Sequence, residues 1–335
     1  MNPLSFSPRG LPSDLSVDRR AFLKSVAASA FAGTIADPVL QAAAKVRSET
    51  LVAQLYRSLD AQQRASICRA FEDPLRSKVN NNWMIGKSQK EVLNKDQQDL
   101  VRQIFLGLHS PEYAPRVMEQ VVHDSEGDGF DGGTSVMLFG EPDSGKFEFV
   151  LTGRHCTRRC DGDSVAGAAF GGPIFYGHAA KGFREGPEHA GNIYWYQALR
   201  ANEVFRMLDG KQQELALVET VRAEKETQTV ALSGSKEGLP GIPVAGLSAD
   251  QKGLVRKVLQ DVLAPFREED AQESLRLIEP QFDALHLAFC KNMDLGGDRV
   301  WDVWQIQGPD MLWLFRGAPH VHVWVHVREA SKKIG

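Results

Sequence analysis

Two stretches of this chain, residues 94–160 and 248–327, carry the same series of sequence patterns at an offset of about 150 residues. Each begins with an amphipathic helix pattern that contains Leu-Val-Arg, at residues 100–102 and 254–256, and continues with a second helix pattern. Two short apolar segments joined by a glycine-containing turn follow in each, which is the pattern of a β-hairpin. The repeat restricts the possible folds, because both copies are expected to form the same helix–helix–strand–strand arrangement.

The fold class follows from the order of these patterns along the chain. A helix pattern over residues 48–71 precedes the first copy, and helix patterns over 192–208 and 212–222 separate the copies. The polar stretch 224–245, with its glycines and prolines, is typical of a linker. This segregation predicts an α+β fold with a mainly antiparallel sheet and helices packed outside it. We expect one compact domain made of two related halves over residues 45–335.

The N-terminal region resembles a twin-arginine export signal. The pair Arg19-Arg20 is followed by a weakly apolar run at 26–36 and by an Ala-x-Ala type cleavage site at 41–44. This order predicts a signal peptide over residues 1–44, passage through the twin-arginine translocase, and a periplasmic or extracellular mature protein. A plain N-terminal helix is the alternative. The twin-arginine route carries folded proteins, so it favours cargo that loads a metal or cofactor before export.

Composition and charge argue against several classes of function. The net charge is −4 and the sequence has no basic cluster, so nucleic-acid binding is not expected. No apolar run reaches the roughly 20 residues that cross a bilayer, so we expect no transmembrane segment in the mature chain. Four cysteines are too few for a disulfide scaffold in a chain of this length. We expect a soluble protein whose partner is a small-molecule or envelope substrate of unknown identity.

The strongest chemical signal is the alternation of histidine and other residues over 320–326. Side chains alternate across a strand, so His320, His322 and His326 would lie on one face. Two imidazoles about 7 Å apart on a rigid strand can bind one metal ion, zinc or copper. His155 follows the second predicted strand of the first copy and is the candidate third ligand. Histidines with a purely structural role are the alternative interpretation.

Six further residues are candidates for catalysis or substrate binding. The acid–base candidates are Asp163, His178 and Glu188. The arginines that would bind a carboxylate or phosphate are Arg154, Arg158 and Arg159. For all six, a structural or solvated side chain is the alternative interpretation.

Two other patterns do not indicate a site by themselves. The acidic stretch 124–129 opens with the spacing of a calcium loop, but Ser135 takes the place of the bidentate glutamate. A solvated acidic loop is therefore predicted there. Cys156 and Cys160 would lie about 13 Å apart along a strand, which is too far for a disulfide unless the chain turns between them.

Three segments of the chain resemble the protein family catalogued as domain of unknown function 3500. They are Gly-Arg-His-Cys at residues 153–156 with the Pro-x-Phe-x-Gly run at 173–177, Leu-Asp-x-x-Gln at 208–212, and the stretch from Ile-Gln-Gly-Pro at 306–309 to His-Val-His at 320–322. The resemblance extends over residues 46–335. Arg154 and Cys156 stand where the family has a paired histidine and an apolar residue, and the tail 328–333 lacks the usual acidic ending. The resemblance implies that the histidines of the first and third segments form one constellation; it implies no established activity.

These observations lead to two hypotheses about function. The first is an exported metal-dependent enzyme in which His155, His320 and His322 hold zinc or copper and leave a coordination position open for water or substrate. Hydrolysis is the more general expectation for such an enzyme, and oxidation by copper is the second. The other hypothesis is a non-catalytic module of the cell envelope, in which the two halves form a cleft that binds a ligand.

Overall fold

The computed structural model describes residues 47–143, 145–179, 191–220, 222–290 and 300–331. The predicted signal peptide and Glu188 lie outside the described residues. Within these ranges, the helices are too short or too polar to cross a membrane.

Ten α-helices and eleven strands lie within the described ranges. The helices are α1 Ser48–Ser58, α2 Ala61–Ile67, α3 Gln89–Val92, α4 Lys95–Gly107, α5 Ala114–Asp124, α6 Gly129–Gly133, α7 Tyr196–Met207, α8 Gly210–Ala216, α9 Ala249–Leu263 and α10 Glu268–Ile278. The strands are β1 Cys68–Arg69, β2 Thr134–Gly140, β3 Phe147–Gly153, β4 Cys156–Cys160, β5 Ile174–His178, β6 Leu217–Val218, β7 Ile242–Pro243, β8 His286–Cys290, β9 Val303–Gln307, β10 Met311–Arg316 and β11 Val321–Val327.

All eleven strands belong to one mixed, mostly antiparallel sheet, so the predicted α+β class is confirmed. The strand order is β1-β2-β3-β4-β5-β11-β10-β9-β8-β6, and β7 pairs with β8 outside this path. The pairs at the two ends of the order, β1–β2 and β6–β8, are parallel, and the other neighbours are antiparallel. The two series of strands meet where β5 pairs with β11. A site built from β4, β5 and β11 therefore takes residues from both parts of the chain.

The same types of element recur in the same order on both sides of this central pair. Apart from the short α6, the series α4–α5–β2–β3 within residues 94–160 matches α9–α10–β8–β9 within 248–327. Upstream of these, α1–α2–β1 matches α7–α8–β6. The origin of the two halves as a sequence repeat, and their folding as one domain over residues 45–335, stay predictions.

Two of the predicted helices are shorter in the structure. The pattern over residues 48–71 is interrupted after α1, because the Asp60 side chain accepts a hydrogen bond from the Gln63 amide at 2.8 Å and so begins α2. Asp209 caps α8, because its side chain accepts a hydrogen bond from the Gln212 amide at 2.9 Å. That helix ends at Ala216 instead of residue 222, because the chain continues into β6, which pairs with β8.

The two faces of the sheet are covered differently. One face carries the main core, where Trp313 and Val323 pack with residues of the helices. On the other face, Ile85 packs against β2 and β3, and Val230 packs against Trp324 of β11. The prediction that residues 224–245 form a linker is wrong, because this segment buries Val230 and pairs with β8 through β7. Segments without long helices thus cover the sheet face on which the alternating histidines lie.

Candidate metal centre

His155 occupies the turn between β3 and β4. Gly153 and Cys156 are paired across the two strands, which leaves a two-residue turn of Arg154 and His155. The backbone φ of His155 is 53°, in the left-handed region that residues other than glycine seldom adopt. The His155 amide donates to the carbonyl oxygen of Asn81 at 2.8 Å and ties the turn to the preceding segment. The strand therefore ends before this position, and His155 belongs to the turn that follows it.

His320 and His322 lie at the start of β11 and point to the same face of the sheet. Val321 and Val323, which alternate with them, belong to the main core. His155, His320 and His322 are 3%, 6% and 5% exposed. The sequence alternation thus places two histidines on the face opposite the main core, and the β3–β4 turn supplies a third from the other half of the sheet.

The three imidazoles form a compact group, which we call the histidine cluster: His155, His320 and His322. One possible ligand atom from each lies within 4.8 Å of those of the other two. The Nε2 atoms of His320 and His322 are 2.9 Å apart. The ring of His155 lies 5.1 Å from that of His320 and 5.0 Å from that of His322, measured between centroids.

Two carboxylates, the buried Asp124 and the partly buried Glu224, contact two of the three rings on the side away from the cluster. The Nδ1 atom of His155 lies 2.6 Å from Oδ2 of Asp124, and that of His322 lies 2.7 Å from Oε2 of Glu224. A carboxylate only accepts hydrogen bonds, so Nδ1 is the protonated nitrogen in both rings. Each neutral ring then has its lone pair on Nε2, as a metal ligand requires.

The carboxylates are themselves held in place. Gln120 donates to Oδ2 of Asp124 at 2.7 Å, and Nε of Arg316 lies 3.0 Å from Oε1 of Glu224. Burial would raise the pKa of Glu224, but the hydrogen bond to His322 and the charge of Arg316 outweigh it and lower the pKa. Burial lowers the pKa of His322 to about 3, and the Arg316 charge contributes to this. The electrostatics therefore favour an ionised carboxylate behind a neutral imidazole.

This donor set fits zinc or copper. Neutral imidazole nitrogens bind both ions, and three histidines with a fourth position left open are typical of catalytic zinc sites. Ligand nitrogens lie about 2.0–2.1 Å from zinc, so they are roughly 3.3 Å from one another in a tetrahedral site. The Nε2 atoms of His320 and His322, 2.9 Å apart, would need to separate slightly to reach that spacing, and the other ligand-atom distances in the cluster are at most 4.8 Å.

The structure describes two of the three predicted acid–base residues, and these two lie apart from each other. His178, at the end of β5, has its Nδ1 3.8 Å from Oδ1 of Asp124, so it lies beside the carboxylate that holds His155. Asp163 follows β4 at the end away from His155, and the five residues of that strand span about 17 Å. Asp163 is therefore not brought to the histidine cluster, and Glu188 lies outside the described residues.

The three predicted substrate-binding arginines have protein partners. Arg154 pairs with Glu126 in the turn beside His155. The other two, on β4, are buried within the protein. Arg158 donates to Nε2 of His109 at 3.0 Å, and Arg159 forms an ion pair with Glu148 at 2.5 Å. These contacts give Arg158 and Arg159 a structural role. Of the three predicted arginines, Arg154 is the one that lies next to the cluster.

The cysteines of β4 do not contribute to the cluster. Cys156 and Cys160 are both free and both belong to the main core, on the face opposite His322. Burial raises the pKa of Cys156 to about 11, so it is protonated at neutral pH. A thiolate ligand from this strand is therefore not available to the histidines.

Sequence reasoning missed the carboxylates behind the cluster. Asp124 is 3% exposed and ends α5, so the prediction of a solvated loop is wrong at this residue. A signal for it was present, because Val117, Gln120, Val121 and Asp124 have the i, i+3, i+4, i+7 spacing of a buried helix face. Glu224 lies in the segment predicted to be a linker, and no local pattern marks it.

Comparison with known families identifies a match over most of the chain. The sequence profile of the family described as "Protein of unknown function (DUF3500)" matches residues 41–332. The match includes the three histidines and both carboxylates behind them. Searches of curated proteins and of solved structures find nothing that matches this chain.

Proposed function

The chain belongs to the DUF3500 family, and from the geometry of the histidine cluster we propose that it is a metal-dependent enzyme of hydrolase type. The observation that supports the proposal is the convergence of three buried imidazoles, two of them oriented by carboxylates. A histidine that only fills space in a core does not require a carboxylate on Nδ1 and a neighbouring imidazole on Nε2. Orientation of this kind is typical of histidines that bind a metal.

Zinc is the first candidate ion and copper the second. When bound, zinc lowers the pKa of a coordinated water to about 7 and polarises a carbonyl or phosphoryl group. Oxidation by copper is the less general alternative. Export through the twin-arginine pathway is part of the same proposal, since it would let the protein fold around its metal before translocation.

The residues of the chain have separate tasks in this proposal. Asp124 and Glu224 hold the Nδ1 protons, so that the Nε2 lone pairs of His155 and His322 face the ion. Gln120 and Arg316 fix the two carboxylates in turn. Of the two acid–base candidates that the structure describes, His178 is the one near the cluster, because it lies beside the Asp124 carboxylate that holds His155.

Metal analysis of the purified protein tests the proposal. We expect about one zinc or copper ion per chain in the unmodified protein, as three histidine ligands predict. The double variant His320→Ala/His322→Ala is expected to lose this metal and any hydrolysis of nitrophenyl esters or phosphodiesters. The matched control is His326→Ala, because His326 lies on the same face of β11 but its Nδ1 contacts the Val230 carbonyl oxygen at 2.9 Å.

Two results would contradict the proposal. Equal metal content in the double variant and the unmodified protein would remove the histidine cluster as the site. Loss of metal in His326→Ala to the same extent would show that the cluster has no special role. Circular dichroism of each variant verifies that the fold is retained.

A non-catalytic binding role is the second candidate function. It is favoured by a cavity of about 350 Å³ on the sheet face that carries His322 and Trp324. A ligand that stabilises the protein, with no turnover of any ester or phosphodiester by the metal-loaded form, would favour this role over the enzyme.

A further inference from the structure

The cavity on the histidine-bearing face lies over β8, β9 and β10. Its volume is about 350 Å³, at the lower end of the range for small-molecule sites. Gln305 and Leu314, which line it, are partners across β9 and β10, and Leu314 is the partner of Trp324 across β10 and β11. The cavity is thus separated from the histidine cluster by part of one sheet face.

Arg222 is the charged residue in the wall of this cavity. Its Nη1 donates to the carbonyl oxygen of Thr229 at 3.0 Å. Among the residues that the structure describes, no carboxylate forms an ion pair with it. Burial lowers the pKa of the Arg222 guanidinium. An anion bound in the cavity would therefore interact favourably with the partly buried guanidinium of Arg222.

The other described residues of the wall are uncharged, and some are polar and others apolar. Gln305 and Gln307 are buried side by side on β9, and Nε2 of Gln305 donates to Oε1 of Gln307 at 2.9 Å. One further N–H of the Gln305 amide remains for a ligand. The apolar part includes side chains of three neighbouring strands: Ala288, Val303 and Leu314.

We propose that this cavity binds a small organic monocarboxylate, with the carboxylate on Arg222 and the carbon chain against Ala288 and Leu314. The planar guanidinium offers parallel N–H groups that match the two oxygens of a carboxylate. One arginine compensates one negative charge, and among the described residues that line the cavity there is no second cation for a doubly charged phosphate. The apolar strands favour a ligand of several carbons over formate or acetate.

The site is distinct from the proposed metal centre and does not depend on it. Arg222 precedes Glu224 by two residues, so their backbones lie within about 7 Å of each other. The carboxylate of Glu224 is nevertheless engaged by His322 and Arg316. We therefore expect the His320→Ala/His322→Ala variant to bind the carboxylate as the unmodified protein does. If the histidine cluster proves not to bind a metal, the expected binding of the carboxylate at Arg222 stays the same.

Isothermal titration with sodium butanoate and sodium hexanoate tests the inference. We expect saturable binding of at least one of them, with hexanoate tighter than butanoate, and at least tenfold weaker binding to Arg222→Gln. The matched control is Arg206→Gln, because Arg206 is exposed on α7 and its loss changes the net charge equally. Arg222→Lys keeps the charge without the planar N–H pair and is expected to be intermediate.

A second comparison uses the unmodified protein alone, so it holds even if Arg222→Gln does not fold. Hexanamide has the same carbon chain as hexanoate without the charge and is expected not to bind. Equal binding of hexanamide, or equal weakening in Arg206→Gln, would overturn the role of Arg222. Binding of inorganic phosphate in place of both carboxylates would overturn the ligand class. The absence of any binding would overturn the site.

Discussion

The protons on two imidazole nitrogens determine what the histidine cluster can bind. Asp124 and Glu224 each accept a hydrogen bond from Nδ1 and leave Nε2 with its lone pair. Neither carboxylate is near its histidine in the sequence: Asp124 is 31 residues from His155, and Glu224 is 98 residues from His322. At the level of single residues, the site is therefore a product of long-range contacts.

The substitution Asp124→Asn tests this dependence. An amide carries no charge and can present a donor to Nδ1, so His155 would be oriented less well. We expect zinc to bind about 10- to 100-fold more weakly, as is typical when the carboxylate behind a ligand histidine is removed. Competition with a chelating dye measures the change in affinity.

The control for this variant is Asp131→Asn. Asp131 forms ion pairs with Arg102 and Lys95 and not with a histidine of the cluster, so its substitution is expected to leave zinc affinity unchanged. Equal affinity of Asp124→Asn and the unmodified protein would show that the Asp124 contact has no part in metal binding.

At the level of elements, two pairs of glutamines join helix starts to each other. Gln63 and Gln97 are the third residues of α2 and α4, and each donates through its side-chain amide to the other. Gln212 and Gln251 do the same for α8 and α9. Each glutamine also accepts a hydrogen bond from the capping residue of its own helix. These pairs therefore fix two helices at once with groups that are largely buried.

Truncation of one glutamine in each pair tests this contribution. Gln97→Ala and Gln251→Ala leave backbone groups and the partner amide without hydrogen bonds. Each is expected to lower the free energy of unfolding by about 1–3 kcal/mol. The exposed Gln272→Ala, which loses only a contact with Glu268 on the same helix, is expected to change it by less than about 0.5 kcal/mol.

Urea denaturation followed by circular dichroism gives these values. Equal stability of Gln97→Ala, Gln251→Ala and Gln272→Ala would show that the glutamine pairs do not stabilise the helix starts.

At the level of the whole molecule, the sheet is continuous across both series of strands. The main core includes Leu151 of β3 and Ile306 of β9, on opposite sides of the β5–β11 pair. The histidine cluster takes one residue from the first series and two from β11 and its start. A ligand bound there would link the two series through coordination as well as through strand pairing.

This continuity predicts a single unfolding transition. Leu151→Ala and Ile306→Ala each remove a fully buried aliphatic side chain, and each is expected to lower stability by about 2–5 kcal/mol. We expect both to shift the same transition in urea, measured by circular dichroism. Leu215→Ala is the control, because Leu215 is 60% exposed. Two transitions, each shifted by one variant, would contradict one cooperative domain.

Much of the fold was accessible from local patterns. Helix periodicity located most of the helices, and the alternation over residues 320–326 identified which histidines share a face, since both signals repeat within a few residues. The resemblance to the DUF3500 family is confirmed over nearly the whole chain. Local patterns failed where strand pairing determined the structure. The helix pattern over 212–222 is one case, because its second part forms β6, which pairs with β8.

By itself, the sequence determined the α+β class, the family and the two histidines on one face of β11. Only the tertiary structure decided the left-handed turn that brings in His155, the burial of Asp124 and the position of Glu224 behind His322. The physical reason is the separation along the chain between the residues that interact. Periodicity records which face of its own element a residue occupies, whereas a carboxylate and an imidazole from distant segments meet only through the packing of the elements between them.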